Sequence, residues 1–316
     1  MLADLEAWML RVAGALVGAV WGSFFNVAIH RWPRQMSVVH PPSHCPSCGA
    51  PVRARHNVPV IGWLMLRGRA ACCGAKISPR YPVVEVLSAV LGVAVVERWV
   101  LDARAGEALA PALLEASLWF AFLGGLLVAT FVDLEWMEIP DEVSLPGAAL
   151  GLATVGLRSG GDAADAALGA GAGFLLVQLV FVWSYERLTG RRGMGEGDAK
   201  LLMMIGAFTG WQGALFALVG GAVQGLLVTA LLMAAGRGPP RARIEEVAPR
   251  PAFSETTRDG LRTSGEVPQA PGNGVEPTVD PVGPMRVPFG PFLSVAAVQW
   301  TFFSTHIVDA YLSWLG

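Results

Sequence analysis

Two aspartates stand out for where they sit. Asp133 closes the apolar run FLGGLLVATFVD, and Asp198 lies in GMGEGDAK, immediately before LLMMIGAF. Ionisable side chains at membrane depth are costly, so they mark function more often than packing. A pair of carboxylates suits hydrolysis of an amide. One takes a proton from water while the other gives one to the carbonyl oxygen or the leaving amine. Like charges held close do not both ionise, so titration belongs to the pair. Gly195 and Gly197 of the same motif lack Cβ atoms and let backbone approach an extended substrate; Lys200 completes the motif. Plainer roles exist for each acid. Asp133 could be a solvated helix end among Glu135, Glu138, Asp141 and Glu142, and Asp198 could be the N-cap of a helix beginning at Ala199. Other hydrolytic chemistry lacks its residues: the five histidines form no HExxH, and there is no GxSxG. Phosphate-binding GxGxxG and GxxxxGK[ST] loops are also absent.

The second group is sulfur. Cys45 and Cys48 form CPSCG, the spacing and trailing glycine of a metal knuckle, while Cys72 and Cys73 are adjacent in AACCGA. Vicinal cysteines fit one tetrahedral ion poorly. The expected Zn²⁺ ligands are therefore Cys45, Cys48 and Cys73, with the fourth from Cys72, His44 or His56. A closed four-ligand site would be structural, stapling a loop too small for its own core. No acid lies between Arg31 and Arg80 to act as a base, which argues against a catalytic metal. Free thiols or a redox pair are the alternative.

These groups must be positioned by helices in lipid. Of the 316 residues, 53% are hydrophobic and 15% charged, against about 25% charged in soluble domains, and mean hydropathy is +0.49. Apolar runs fall near 8–29, 82–100, 113–132, 143–158, 166–184, 213–235 and 289–314, with a shorter one at 200–211 that stops near Gly210. The expected fold is an all-α integral membrane protein: a polytopic bundle of about eight transmembrane helices with a cysteine-bearing cytoplasmic loop domain. Its parts would be a first helix (1–30), a basic cysteine loop (31–81), a membrane core (82–236), an insertion (237–288) and a last helix (289–316). Asp4 and Glu6 precede the first run, unlike the basic start of a cleaved signal. Eight basic residues and no acid between Arg31 and Arg80 put that loop in the cytoplasm and the N-terminus outside. The insertion, with ten Pro and six Gly, reads as a flexible spacer. No internal repeat is evident. A net charge of −2 gives no sign of nucleic acid as a partner; membrane lipid is the expected surroundings.

GSFFNVAIHRWP (22–33), CPSCG (45–49), CGAKISPRYPVVE (73–85), FVDLEWMEIPDEVSLP (131–146), GMGEGDAKL (193–201) and PFGPFL (288–293), in this order, resemble the bacterial type IV prepilin peptidases. These are bifunctional leader peptidases and N-methyltransferases. The resemblance implies that Asp133 and Asp198 are the catalytic pair, Asp198 being the aspartate of a GxGD motif. It also implies cleavage after a glycine of the short basic leader of type IV prepilins or type II secretion pseudopilins, at the cytoplasmic face of the inner membrane. The new N-terminal residue would then be methylated with S-adenosylmethionine as donor, an activity linked with the cysteine region. The sequence departs from the family in one place: Ala70 stands at the expected third cysteine, and Cys72 appears instead. A competing use of the two aspartates is an ion relay in a polytopic transporter, which would place them near the bilayer midplane.

Overall fold

The computed structural model describes residues 2–102, 108–189, 194–236 and 287–315. Among these there are helices but no named strands. The long first helix α1 (Leu2–Arg31) leads into the cysteine loop, which holds one short helix, α2 (Ile61–Met65). Next come α3 (Arg80–Val96), widened into a π-helical end at Glu97–Leu101, and α4 (Leu109–Trp136). Then follow the short α5 (Asp141–Ala153) and α6 (Ala163–Leu176), which runs through a π-helical stretch, Val177–Ser184, into α7 (Tyr185–Thr189). α8 (Glu196–Ala234) and α9 (Gly290–Leu315) complete the bundle. The expected insertion lies outside the described residues except for its last two positions.

Each expected apolar run overlaps a helix, but the one expected at 143–158 is cut short: α5 ends at Ala153, and Val155–Leu157 forms a single 3-10 turn. Four helices are long and apolar enough to cross a membrane: Glu6–Arg34, Leu109–Trp136, Ala163–Leu188 and Glu196–Ala234. α8 contains both runs expected on either side of Gly210, which breaks the helix with φ 72° and ψ −177°. A straight helix of that length would reach about 58 Å, far beyond the ~30 Å hydrocarbon layer. The break divides it into a short inner segment and a longer second one.

The surface is apolar. Leu16, Val20, Leu226 and Leu231 are all more than 60% exposed, as suits lipid-facing positions. Small residues let the backbones meet. A Cβ on Gly18 of α1 would lie 2.2 Å from the Ser88 carbonyl oxygen of α3, and Gly14, Gly18 and Gly22 keep the four-residue spacing of close membrane helix pairs. The core centres on α4 and the inner part of α8: Phe122, Leu126, Val132, Leu201 and Ile205 are at most 1% exposed.

One clamp holds the two short helical segments. Buried Arg158 donates to the carbonyl oxygens of Gly151 at the end of α5 (2.7 Å) and of Ala207 (3.0 Å) and Phe208 (2.6 Å), just before the α8 break. Beside it, Ser159 donates through its amide (2.9 Å) and hydroxyl (2.6 Å) to Glu115 of α4. α5 and the first part of α8 are thus tied at one end; at the opposite end α8 carries Asp198, and the end of α4 brings Asp133 to the start of α5.

Candidate active site

α4 stops just past Asp133. Met137 takes the left-handed conformation (φ 56°) and its amide bonds back to the Asp133 carbonyl at 2.9 Å, a C-terminal stop of the αL type. Pro140 then turns the chain into α5. α8 starts at Glu196, so Asp198 sits in its first turn, and its Oδ2 accepts the Gly195 amide at 3.2 Å. It therefore reaches back to the cap from inside the helix instead of being the N-cap. Asp133 Oδ2 accepts the amide of Gly290, the first residue of α9, at 2.8 Å. Both aspartates are buried, at 5% and 8% exposure. They line one cavity of about 600 Å³ with Trp32 and Gln35 from the end of α1, Glu138, Glu142, Gly195, Gly197 and Lys200. Residues 65 positions apart are brought together because a helix end and a helix start lie at the same end of the bundle.

The motif residues have definite duties. Lys200 Nζ donates to both carboxylate oxygens of Asp141 at 2.7 Å, fastening α8 to the start of α5. Gly197 packs on Ile139, which a Cβ would meet at 3.0 Å, and Gly195 supplies the amide to Asp198. Sequence reasoning gave these glycines only to substrate approach. It assigned no role to Gly290, although PFGPFL carried a signal: a glycine followed by Pro291, which suits a helix start. It counted Arg80 only among the basic residues of the loop. Arg80 Nη1 pairs with Glu135 at 2.6 Å, and Arg34 lies over the Trp136 ring at 4.5 Å, so the cysteine loop's two roots grip the end of α4.

Family models match two segments: a bacterial peptidase A24 N-terminal domain over residues 16–99, and the type IV leader peptidase family over 120–230. A prepilin leader peptidase/N-methyltransferase of Klebsiella pneumoniae is 37% identical over 209 residues, covering 62% of this chain and 84% of the relative. One from Aeromonas hydrophila is 37% identical over 230 residues (65% and 75%), and one from Pseudomonas putida 34% over 254 residues (73% and 84%). The chain belongs to the type IV leader peptidase family. No solved structure matches.

In this leader peptidase the N-terminal domain match contains the cysteine loop, and the loop holds a repeat that the sequence did not disclose. The Cys45 amide bonds to the Ala50 carbonyl and the Gly49 amide to the Cys45 carbonyl; the Ala70 amide bonds to Ala75 and the Gly74 amide to Ala70, all at 2.8 Å. The bridges His44–Pro51 and Arg69–Lys76 frame the two turns, and Gly49 and Gly74 share φ 71°. Cys73 thus corresponds to Cys48, Ala70 to Cys45, and Cys72 to Ser47.

All four sulfurs converge, within 4.8 Å of one another. Cys48–Cys72 is 3.3 Å, Cys45–Cys73 3.7 Å and Cys72–Cys73 3.9 Å. A tetrahedron of Zn–S bonds near 2.3 Å has edges of about 3.8 Å, so the sulfur set fits a zinc ion. Cys72 has shifted along its turn and still reaches the cluster. Of the candidates for a fourth ligand, Cys72 is the one whose sulfur lies in the cluster, because Cys72 and Cys73 approach it from two positions of one tight turn. His44 instead bonds to the Pro42 carbonyl at 3.0 Å. Amides of Cys48 and Ser47 hold the Cys45 thiolate and lower its pKa to about 6, while hydrogen bonding to Cys48 and burial push Cys72 up.

Proposed function

We propose that Asp133 and Asp198 are the catalytic pair of a leader peptidase that also methylates its product. The single observation that carries the assignment is their shared cavity, reached by two buried carboxylates from different helices. With one acid ionised and one protonated, the ionised member takes a proton from water as its oxygen attacks the carbonyl carbon. The protonated member gives its proton to the carbonyl oxygen. Collapse reforms the C=O and breaks the C–N bond: the proton from water passes to the leaving amine, and the carbonyl oxygen's proton returns to the second aspartate, restoring the pair. Amides of Gly195 and Gly290 fix the two side chains before substrate arrives.

The substrates are type IV prepilins or type II secretion pseudopilins, cut after glycine, with S-adenosylmethionine as methyl donor. The chain spans the inner membrane about eight times, with the N-terminus outside. The all-basic loop supports a cytoplasmic site, since it and the aspartate cavity lie at the same end of the bundle and share the exit of α1. Glu138 and Glu142 line the cavity and suit a basic leader; Glu135 is taken by Arg80 and Asp141 by Lys200. Cys45, Cys48, Cys72 and Cys73 would hold one structural Zn²⁺, which supplies cross-linking of the loop and no chemistry. An ion relay is not favoured, because both acids stand at helix ends beside loops.

The test is incubation of detergent-purified protein with a prepilin, reading the product N-terminus by mass spectrometry. Asp133→Asn and Asp198→Asn should each slow cleavage about 10²–10⁴-fold while the protein still inserts. Wild-type turnover by either variant overturns the pair.

A further inference from the structure

Helices α1 and α4 end beside the aspartate cavity in the same uncommon way. α1 runs on through one 3-10 turn, Trp32–Arg34, and is stopped by Gln35 at φ 55°. The amides of Gln35 and Met36 bond back to the carbonyls of Trp32 (2.8 Å) and Arg31 (3.0 Å), a Schellman stop. α4 is stopped by Met137 at φ 56°. Such left-handed positions favour glycine, which adopts positive φ without a steric penalty. Among the described residues, four that are not glycine have positive φ. Two of them, Gln35 and Met137, line the cavity that holds Asp133 and Asp198. Stopping a helix does not require a long side chain at either place. Strained backbone beside a reacting centre points to work for the side chain it carries.

The two stops are also locked together. Arg34, immediately before Gln35, lies over the ring of Trp136, immediately before Met137, at 4.5 Å. Arg34 is itself held by donation to the His30 carbonyl at 2.7 Å. Gln35 and Met137 therefore line the cavity as a fixed pair. Gln35 is exposed, and its carboxamide makes no hydrogen bond among the described residues. It offers two donors and an acceptor, the complement of a peptide group. Met137 is half-buried and carries a flexible, polarisable thioether that adapts to apolar shapes.

We propose that Gln35 and Met137 bind the substrate chain at the scissile bond: the Gln35 carboxamide pairs with a peptide group beside the glycine, and Met137 packs on the side chain of the residue after the cut. The proposal rests on the leader-peptidase reading above. A glycine before the cut has no side chain to recognise, so selection there is made through backbone hydrogen bonds, and a carboxamide can donate and accept at once. The nearest side chain within reach of an apolar contact then belongs to the residue beyond the cut. Neither Gln35 nor Met137 moves a proton. They hold the extended chain so that its carbonyl stays within reach of the aspartates. Glu138 and Glu142 of the same cavity act on the charged leader, whereas Gln35 and Met137 act at the bond itself.

The experiment uses the full chain in detergent, with initial-rate cleavage of a prepilin and thermal unfolding measured for each variant. Gln35→Gly and Met137→Gly remove the side chain and relieve the left-handed backbone. The unfolding midpoint should be no lower than in wild type, while kcat/KM falls about 3- to 10-fold, as for one lost hydrogen bond or apolar contact. Wild-type kcat/KM, or a fall that comes with a lowered midpoint, overturns the proposal: the two residues are then helix stops and nothing more. Gln35→Leu keeps the bulk without the polar groups and should lose as much as Gln35→Gly; wild-type kcat/KM in that variant overturns the backbone pairing. A prepilin with alanine after the cut separates the two roles. On it the penalty for Met137→Gly should drop below about twofold, and that for Gln35→Gly should stay. A Met137→Gly penalty undiminished on that substrate overturns the apolar contact. A wild type that cleaves no prepilin sinks the leader-peptidase reading itself, which Asp133→Asn tests separately.

Discussion

Gly290→Ala probes how Asp133 is held. A Cβ at this position would lie 2.8 Å from Asp133 Oδ2, 3.3 Å from its Cγ and 3.1 Å from Ile139 Cδ1. Ile139 is 7% exposed and has little room to retreat, so the carboxylate must swing away and give up its 2.8 Å bond to the Gly290 amide. The Gly290 backbone is not in the left-handed region, so alanine adds no strain of its own there. Losing a hydrogen bond to a charged group costs about 1.5–3 kcal/mol. Misplacing a reacting group by about 1 Å can cost about a hundredfold in rate. kcat for leader cleavage should therefore fall about 10- to 100-fold, with KM changed by less than about threefold, because the interaction acts on the reacting carboxylate and not on leader binding. The assay is initial-rate cleavage of a prepilin by purified enzyme, with thermal unfolding in detergent as the check on folding. A variant that folds and keeps wild-type kcat refutes this account of Asp133.

Three other outcomes are expected. Metal analysis should find about one zinc per chain; Cys72→Ser should lose it and His44→Ala should keep it, and zinc retained in Cys72→Ser sinks the four-sulfur site. Gly210→Ala should lower stability by more than about 1–2 kcal/mol, since φ is 72° and the new Cβ would meet Asp165 Oδ2 at 2.0 Å; an unchanged unfolding midpoint in detergent contradicts the break in α8. Glu138→Gln combined with Glu142→Gln should raise KM about 3- to 10-fold for a basic leader, as for the loss of two partly exposed ion pairs, and leave a leader with its basic residues neutralised unaffected. Equal loss for both leaders removes these acids from leader recognition.

The apolar runs were legible because a bilayer imposes one length and one polarity on every crossing segment, whatever lies beside it. Even the break at Gly210 shows as a gap between two runs. Asp133 and Asp198 were legible for the same reason: a charge at the end of an apolar run is conspicuous against its background. The cysteine cluster was half legible. CPSCG announces itself by spacing, but the relation of Cys72 to Ser47, and so its place among the sulfurs, follows from turn hydrogen bonds that vicinal cysteines do not reveal.

The order of residues by itself determined the helices, the basic loop and the two acids, because those features depend on local composition against a uniform solvent. Only the tertiary structure decided that Gly290 holds Asp133, that Arg80 reaches Glu135, and that Cys72 completes the cluster. Each of these joins elements remote in the chain, at distances set by how closely small residues let helices and turns approach. Close approach depends on both surfaces at once, and no single stretch of sequence contains both.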